Sequence, residues 1–396
     1  MTARTTSLVI AAVASSACVL AAAPSAAGTH ATAPAHHVGL GKVVSTKDGG
    51  QIFGWDINQN GNDGVLAASQ DTQEPGVYKV SVETFDQTTG TIVTSFARTT
   101  NARDTYGVDG IFAGDIGLVT HYIVAKGSIF AKRRYDVMNP VTANMFTGAW
   151  TPPITAVDVL ANAENQDTST SVVYTIELKN QDVPDLVVSD LATNDNGVIH
   201  LDPGLFSLGN GPKLAQDTQT NHAVLAVSPD GGAVGGRPPM NALVNLTTGH
   251  VTTWSGLNNG PLHAGYVNGL AVDSTTGIAA TTTEINAQVE FYNLKKRTGT
   301  AGQLPGTGPT SQLNSGAAIA NDPIHGLFLV ADPVFAPTGD SAIVVYDESG
   351  NLVESIPGFN FSNSSTVVPV RVAVNPSLRM GWVDGPGLGQ IQQFFY

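Results

Sequence analysis

Apolar residues fall in short runs, and turn residues break these runs at regular intervals. The pattern is clearest in the second half, where residues 266–280, 315–330 and 368–383 repeat one device. Each copy is a short apolar strand, a turn opened by Asp or Asn and closed by Gly, and a second strand. Asp273, Asp322 and Asn375 carry side-chain oxygens that hydrogen-bond a turn backbone, and Gly277, Gly326 and Gly381 are suited to positive φ. A second hairpin follows, in which residues 288–293, 342–347 and 242–245 run into turns such as 245–249 and 347–350; residues 86–90 repeat it early in the chain.

Two consecutive hairpins make a four-stranded unit. The innermost strands are expected to start near Gln51, Gly107, Ile154, Lys213, Val267, Ser315 and Pro369, 47 to 59 residues apart. That period is the period of propeller blades, and the predicted fold is an all-β, seven-bladed β-propeller of four-stranded antiparallel blades. The unit from Ile154 to Phe206 fits least well. The last unit has room for three strands, the third being residues 390–396, and residues 38–45 belong to no unit. Pairing the two completes the final blade and removes an exposed edge. A six-bladed ring is the alternative.

The N-terminus changes the compartment rather than the fold. Arg4, an uncharged apolar run over residues 8–23 and the small residues up to Ala27 read as a secretory signal peptide. Residues 28–37 read as a leader, and 38–396 as one propeller domain. Cys18, the one cysteine, lies in the apolar run, so the mature protein has no disulfide or thiolate. Lipid anchoring at Cys18 is disfavoured because Ser15 stands where an aliphatic residue belongs. Removing residues 1–27 takes away Arg4 alone among charged residues and leaves 17 basic against 32 acidic residues, a net charge of −15. Such a surface repels phosphate backbones and anionic headgroups, which excludes nucleic acid as the expected partner. It favours cations, small molecules, carbohydrates or peptides, and no integral membrane segment is expected after processing.

The units over residues 267–358, with 327–332 followed by 342–347 and Gly350, resemble blades of the lactonase, gluconolactonase and NHL-like propeller group. The resemblance implies a fold. The group holds lactonases, lyases and pure binding scaffolds, so it implies no single reaction.

Signatures of serine hydrolases, P-loop nucleotide binding and zinc proteases are absent. Residues 56–64 match the opening of a Ca²⁺ loop through Asp56, Asn58, Asn60 and Asp63, but Ala67 stands where a bidentate Glu is needed. That segment is read either as a structural turn or as a Ca²⁺ site. Among the histidines, His263 is placed in a loop entering an innermost strand, on the face where propellers hold ligands. The tryptophans Trp55, Trp150, Trp254 and Trp382 are expected between blades.

Aligning the turns puts Gly269, Ala318 and Arg371 at one position and Ala271, Ala320 and Ala373 at another. Arg371 is the odd member where small residues suit a crowded ring centre, and it reads as a ligand group at the channel mouth or as a tie between blades. Second strands are expected to end in acids at a shared step, Asp71, Glu284, Asp332 and Asp384, on a rim with His263 and Asn268. Converging carboxylates repel one another unless neutralised. Glu284, Asp332 and Asp384, with Asn268 and Asp109, are therefore the candidate Ca²⁺ site or Arg371-neutralised pocket. The functional expectation is an exported binding or interaction propeller; the alternative is a Ca²⁺-dependent lactonase- or lyase-like enzyme.

Overall fold

The computed structural model describes residues 38–396 apart from 60, 73–76, 102–103, 106–110, 114–115, 125–130, 140–143, 146–157, 165–171, 180–182, 191–194, 202–212, 228–239, 256–266, 284–287, 304–317, 333–340, 362–370, 386 and 388. The expected signal peptide and leader lie outside the described residues. From Val38 to Tyr396 the chain forms one unit.

Among the described residues the strands assemble into seven antiparallel sheets. In chain order these are blade 1 (51–101), blade 2 (104–145), blade 3 (158–200), blade 4 (213–255), blade 5 (267–303), blade 6 (319–359) and blade 7 (372–395). Each innermost strand neighbours the innermost strand of the next blade, and Val372–Asn375 of blade 7 returns to Gln51–Ile57 of blade 1. The ring is closed. The molecule is a β-propeller.

Closure works as the unit count requires. Gly39–Ser45 pairs antiparallel with Gln390–Phe395 and becomes the outer strand of blade 7, with Gly39 opposite Phe395 and Ser45 opposite Gln390. Side chains lock this join: Gln392 Nε2 donates to the Gly41 carbonyl at 2.8 Å, and the Lys42 amide donates to Gln393 Oε1 at 3.2 Å. Val44 turns inward and is buried.

The inner hairpins share one register. Asp217, Asp273, Asp322 and Asn375 end their strands opposite His222, Ile278, Leu327 and Met380, and Asn58 corresponds through its amide bond to the Asp63 carbonyl. All five are buried, and in four of them Oδ1 accepts turn amides. The left-handed position closing the turn is held by Gly277 and Gly326 as expected. In blade 7 it is held by Arg379 at φ 46° and not by Gly381, which lies inside Met380–Asp384. Gly381 is required for space instead: a Cβ there meets the Phe394 ring at 2.2 Å. Blade 2 is the least regular, its inner strand split into Asp104–Thr105 and Ile111–Ala113, both paired to Ile116–Val124. The segment around Ile154 that fitted least well forms four ordinary strands from Asp158 onward.

The core lies in the seams between blades. One apolar cluster joins Phe291 of blade 5 to Phe328 and Tyr346 of blade 6, a second joins Ile343 and Phe359 of blade 6 to Phe394 of blade 7, and a third joins Trp382 of blade 7 to Trp55 and Phe85 of blade 1. Ring pairs meet edge to face, Phe85 on Trp382 at 5.0 Å and Phe291 on Phe328 at 5.6 Å. Three of the seams also carry a polar latch among the described residues. The residue after the third strand bonds the closing residue of its own inner turn through its amide, as Gln87 does to Asn62, Leu294 to Gly277 and Tyr396 to Arg379. In three blades the side chain of that residue reaches the turn-opening Asp or Asn of the blade before: the Tyr396 hydroxyl donates to Asp322 at 2.9 Å, Gln87 meets Asn375 at 3.3 Å, and Glu348 faces Asp273.

Candidate functional site

The ring centre is crowded. A Cβ on Gly269 would stand 3.0 Å from the backbone nitrogen of Ile319 in the next blade, so the position four residues before the turn must be small wherever inner strands lie that close. By register this position holds Gly54, Lys213, Gly269, Ala318 and Arg371, and the position two residues on holds Asp56, Ala215, Ala271, Ala320 and Ala373. Blade 1 and blade 7 therefore place an acid and an arginine where most blades have Gly or Ala.

The two meet across the seam. Arg371 Nη2 lies 3.2 Å from Asp56 Oδ1, and the guanidinium sits over the Trp55 ring, 5.8 Å from its centroid. Trp55 Nε1 in turn donates to Asp384 Oδ1 at 2.5 Å, and the Arg371 amide donates to Asp384 Oδ2 at 2.9 Å. Burial pushes the Asp384 carboxyl up to about 6, against the lowering effect of the Trp55 and Arg371 hydrogen bonds and the Arg371 charge. Asp384 as a residue is half-buried. The Arg371 side chain is 31% exposed whereas that of Asp56 is 5% exposed. Chemically, this is one partly exposed cation with an acceptor that titrates near neutrality beside it.

Other candidates fall elsewhere. Asp332 is fully buried at the end of Leu327–Asp332, facing Tyr346, whose phenol is pushed up by burial and by the Asp332 charge. Asp332 and Asp384 do not share a step. Asp384 lies four residues beyond Met380 and corresponds to Ala331, which a ladder places opposite Ile343 as it places Asp384 opposite Ile391. Asp332 is one residue further, and adjacent strand residues point to opposite faces. Asp71 ends Asp63–Asp71 opposite Tyr78, eight residues beyond Asp63, so it shares neither step. Glu284, His263, Asp109 and Asn60 lie outside the described residues. Asn268 stands at a bulge between Val267 and Gly269.

In the turn at 58–63 the converging carbonyls already have donors. Gln87 Nε2 donates to the carbonyls of Asn58 and Asp63 at 2.8 Å each, and Asn375 Nδ2 donates to that of Gly61 at 2.7 Å. Among the described residues no group of three or more His, Cys, Asp or Glu is arranged to hold a metal, and no helix is long and apolar enough to cross a membrane. The part the sequence missed is Asp56 as the partner of Arg371; the signal was present, since Asp56 breaks the Ala pattern at its register position.

The fold places the chain among β-propellers of low sequence similarity. It is similar to the WD40 repeats of RRP9 (10% identity over 91% of this chain and 99% of that one, TM-score 0.58). It is also similar to the Cps50 (Swd1) β-propeller domain of Myceliophteria thermophila (10% identity, 91% and 100% covered, TM-score 0.57) and to a Kuenenia stuttgartiensis hydrazine synthase (11%, 89% and 97%, TM-score 0.55). No family model and no curated protein matches the sequence.

Proposed function

We propose that the chain is an exported β-propeller binding or interaction protein whose ligand site lies at the channel mouth, beside the seam of blades 7 and 1. The observation that carries this reading is Arg371: a partly exposed guanidinium at a register position otherwise held mostly by Gly or Ala, next to a carboxyl titrating near neutrality. The guanidinium supplies donors and Asp384 supplies acceptors, which together suit a small polar molecule, a carbohydrate or a peptide. Trp55 is buried, so recognition rests on hydrogen bonds rather than on stacking against its face. A binding survey of such molecules against wild type and Arg371→Ala tests this. Loss of the bound class in the variant supports the site, and equal binding removes it.

The lactonase-like alternative rests on the same carboxyl, because a general base works best with a pKa near the working pH. Lactone hydrolysis abolished by Asp384→Asn, in the presence and absence of chelator, separates catalysis from binding and a Ca²⁺-dependent reaction from a metal-free one. Export follows from residues 1–27, and mass spectrometry of secreted protein is expected to find the mature N-terminus between Pro24 and Thr32.

A further inference from the structure

The inner turns offer an internal comparison. Asp217, Asp273 and Asp322 are equally buried, and each uses Oδ1 to hold two turn amides. Their second oxygens differ. Asp217 Oδ2 accepts the Thr220 hydroxyl, and Asp322 Oδ2 accepts the Tyr396 hydroxyl and meets His325 Nδ1 at 2.7 Å. Asp273 Oδ2 is buried and receives no N–H or O–H among the described residues. The group at the latch position facing Asp273, where blade 7 has Tyr396 and blade 1 has Gln87, is the carboxyl of Glu348.

An ionised Glu348 is acceptor-only and cannot complete Asp273; a protonated one has the missing O–H. Leaving a buried acceptor without a donor is costly, and two unneutralised carboxylates in contact repel. We propose that Glu348 and Asp273 share one proton, and that this proton is a pH-operated latch on the seam of blades 5 and 6, holding it when bound and loosening it when lost.

The surroundings agree. Glu348 is confined on its own blade, where a Cβ at Gly326 would stand 3.0 Å from its Oε1. The charged groups facing it are Asp273 on blade 5 and Asp347 on its own strand, while Thr276 on the blade 5 turn adds a hydroxyl. His325, in the turn of the same blade, is engaged by Asp322. Among the described residues no Lys, Arg or His forms an ion pair with Glu348. Burial first, and then the Asp273 charge, raise the Glu348 carboxyl above the ordinary glutamate value, with Asp347 adding to the effect and Thr276 opposing it. The sign follows. A carboxyl with a folded pKa above its unfolded value favours the folded state most at low pH, and this support is lost as pH rises through the folded pKa.

The experiment is a carboxyl-carbon NMR titration of Glu348 in the wild type and in Asp273→Asn, together with hydrogen-exchange protection of Thr275, Thr276 and Gly350 from acid to neutral pH. Glu348 is expected to titrate above the ordinary glutamate range in the wild type and to move down toward it in the variant. Protection is expected to fall with rising pH in the wild type and to stay level in Glu348→Gln, whose amide N–H is a donor at every pH. An ordinary Glu348 midpoint, or one unmoved by Asp273→Asn, overturns the proposal. So does a pH dependence abolished by adding Ca²⁺ alone, which would make the pair a cation site.

Discussion

Two buried tryptophans near the blade 7 and blade 1 seam differ in one atom's circumstances. Trp55 Nε1 donates to Asp384, whereas Trp382 Nε1 has no hydrogen-bond partner among the described residues. Trp55→Phe strips a charged acceptor of a donor and is expected to cost about 1–3 kcal/mol, measured by urea unfolding at neutral pH. Trp382→Phe removes a donor that nothing receives, so its cost is expected to be the smaller, confined to lost packing against Phe85. Asp384 adds a pH signature. Its folded pKa of about 6 lies above the ordinary aspartate value of 3.8, so the folded state favours the protonated form, and stability falls as pH rises between those values. Asp384→Asn keeps a neutral acceptor for Trp55. Its melting temperature relative to wild type is expected to be higher above pH 6 than below pH 4.

At the scale of strands and turns, the latch residues make the blades depend on one another. Tyr396→Phe removes the hydroxyl donated to the fully buried Asp322 and leaves His325 as its remaining side-chain donor. The expected cost is about 1–3 kcal/mol in thermal or urea unfolding. These turns were legible in the sequence because Asp and Asn open them and the apolar runs flank them. The identity of the left-handed residue was not: Gly381 was the nearest glycine, yet Arg379 takes that conformation because it stands four residues after Asn375, as Gly277 and Gly326 stand after Asp273 and Asp322, whatever its side chain. Asp332 was misaligned with Asp384 for a related reason. A one-residue difference in turn-to-acid spacing is small in a sequence and reverses the face of a strand. Arg371 was visible as an exception to a small-residue position, but its partner lies in the first blade, over three hundred residues earlier in the chain.

For the whole molecule, the propeller was readable from a period that agrees with the seven sheets among the described residues, and the pairing of the two ends from arithmetic: the final unit lacked a strand and residues 38–45 lacked a unit. Deleting residues 38–46 is expected to leave Gln390–Phe395 as an unpaired edge, lowering the melting temperature and producing association detectable by light scattering. An unchanged melting curve would mean that the outer strand adds nothing to closure. The same join sets a schedule. Gly39 finds Phe395 only after the 356 intervening steps of chain have been made, so at ordinary synthesis rates of about 5–20 residues per second the first strand waits roughly 20–70 s for its partner. During that interval the nascent chain holds hairpins whose outer closing partner has yet to be made.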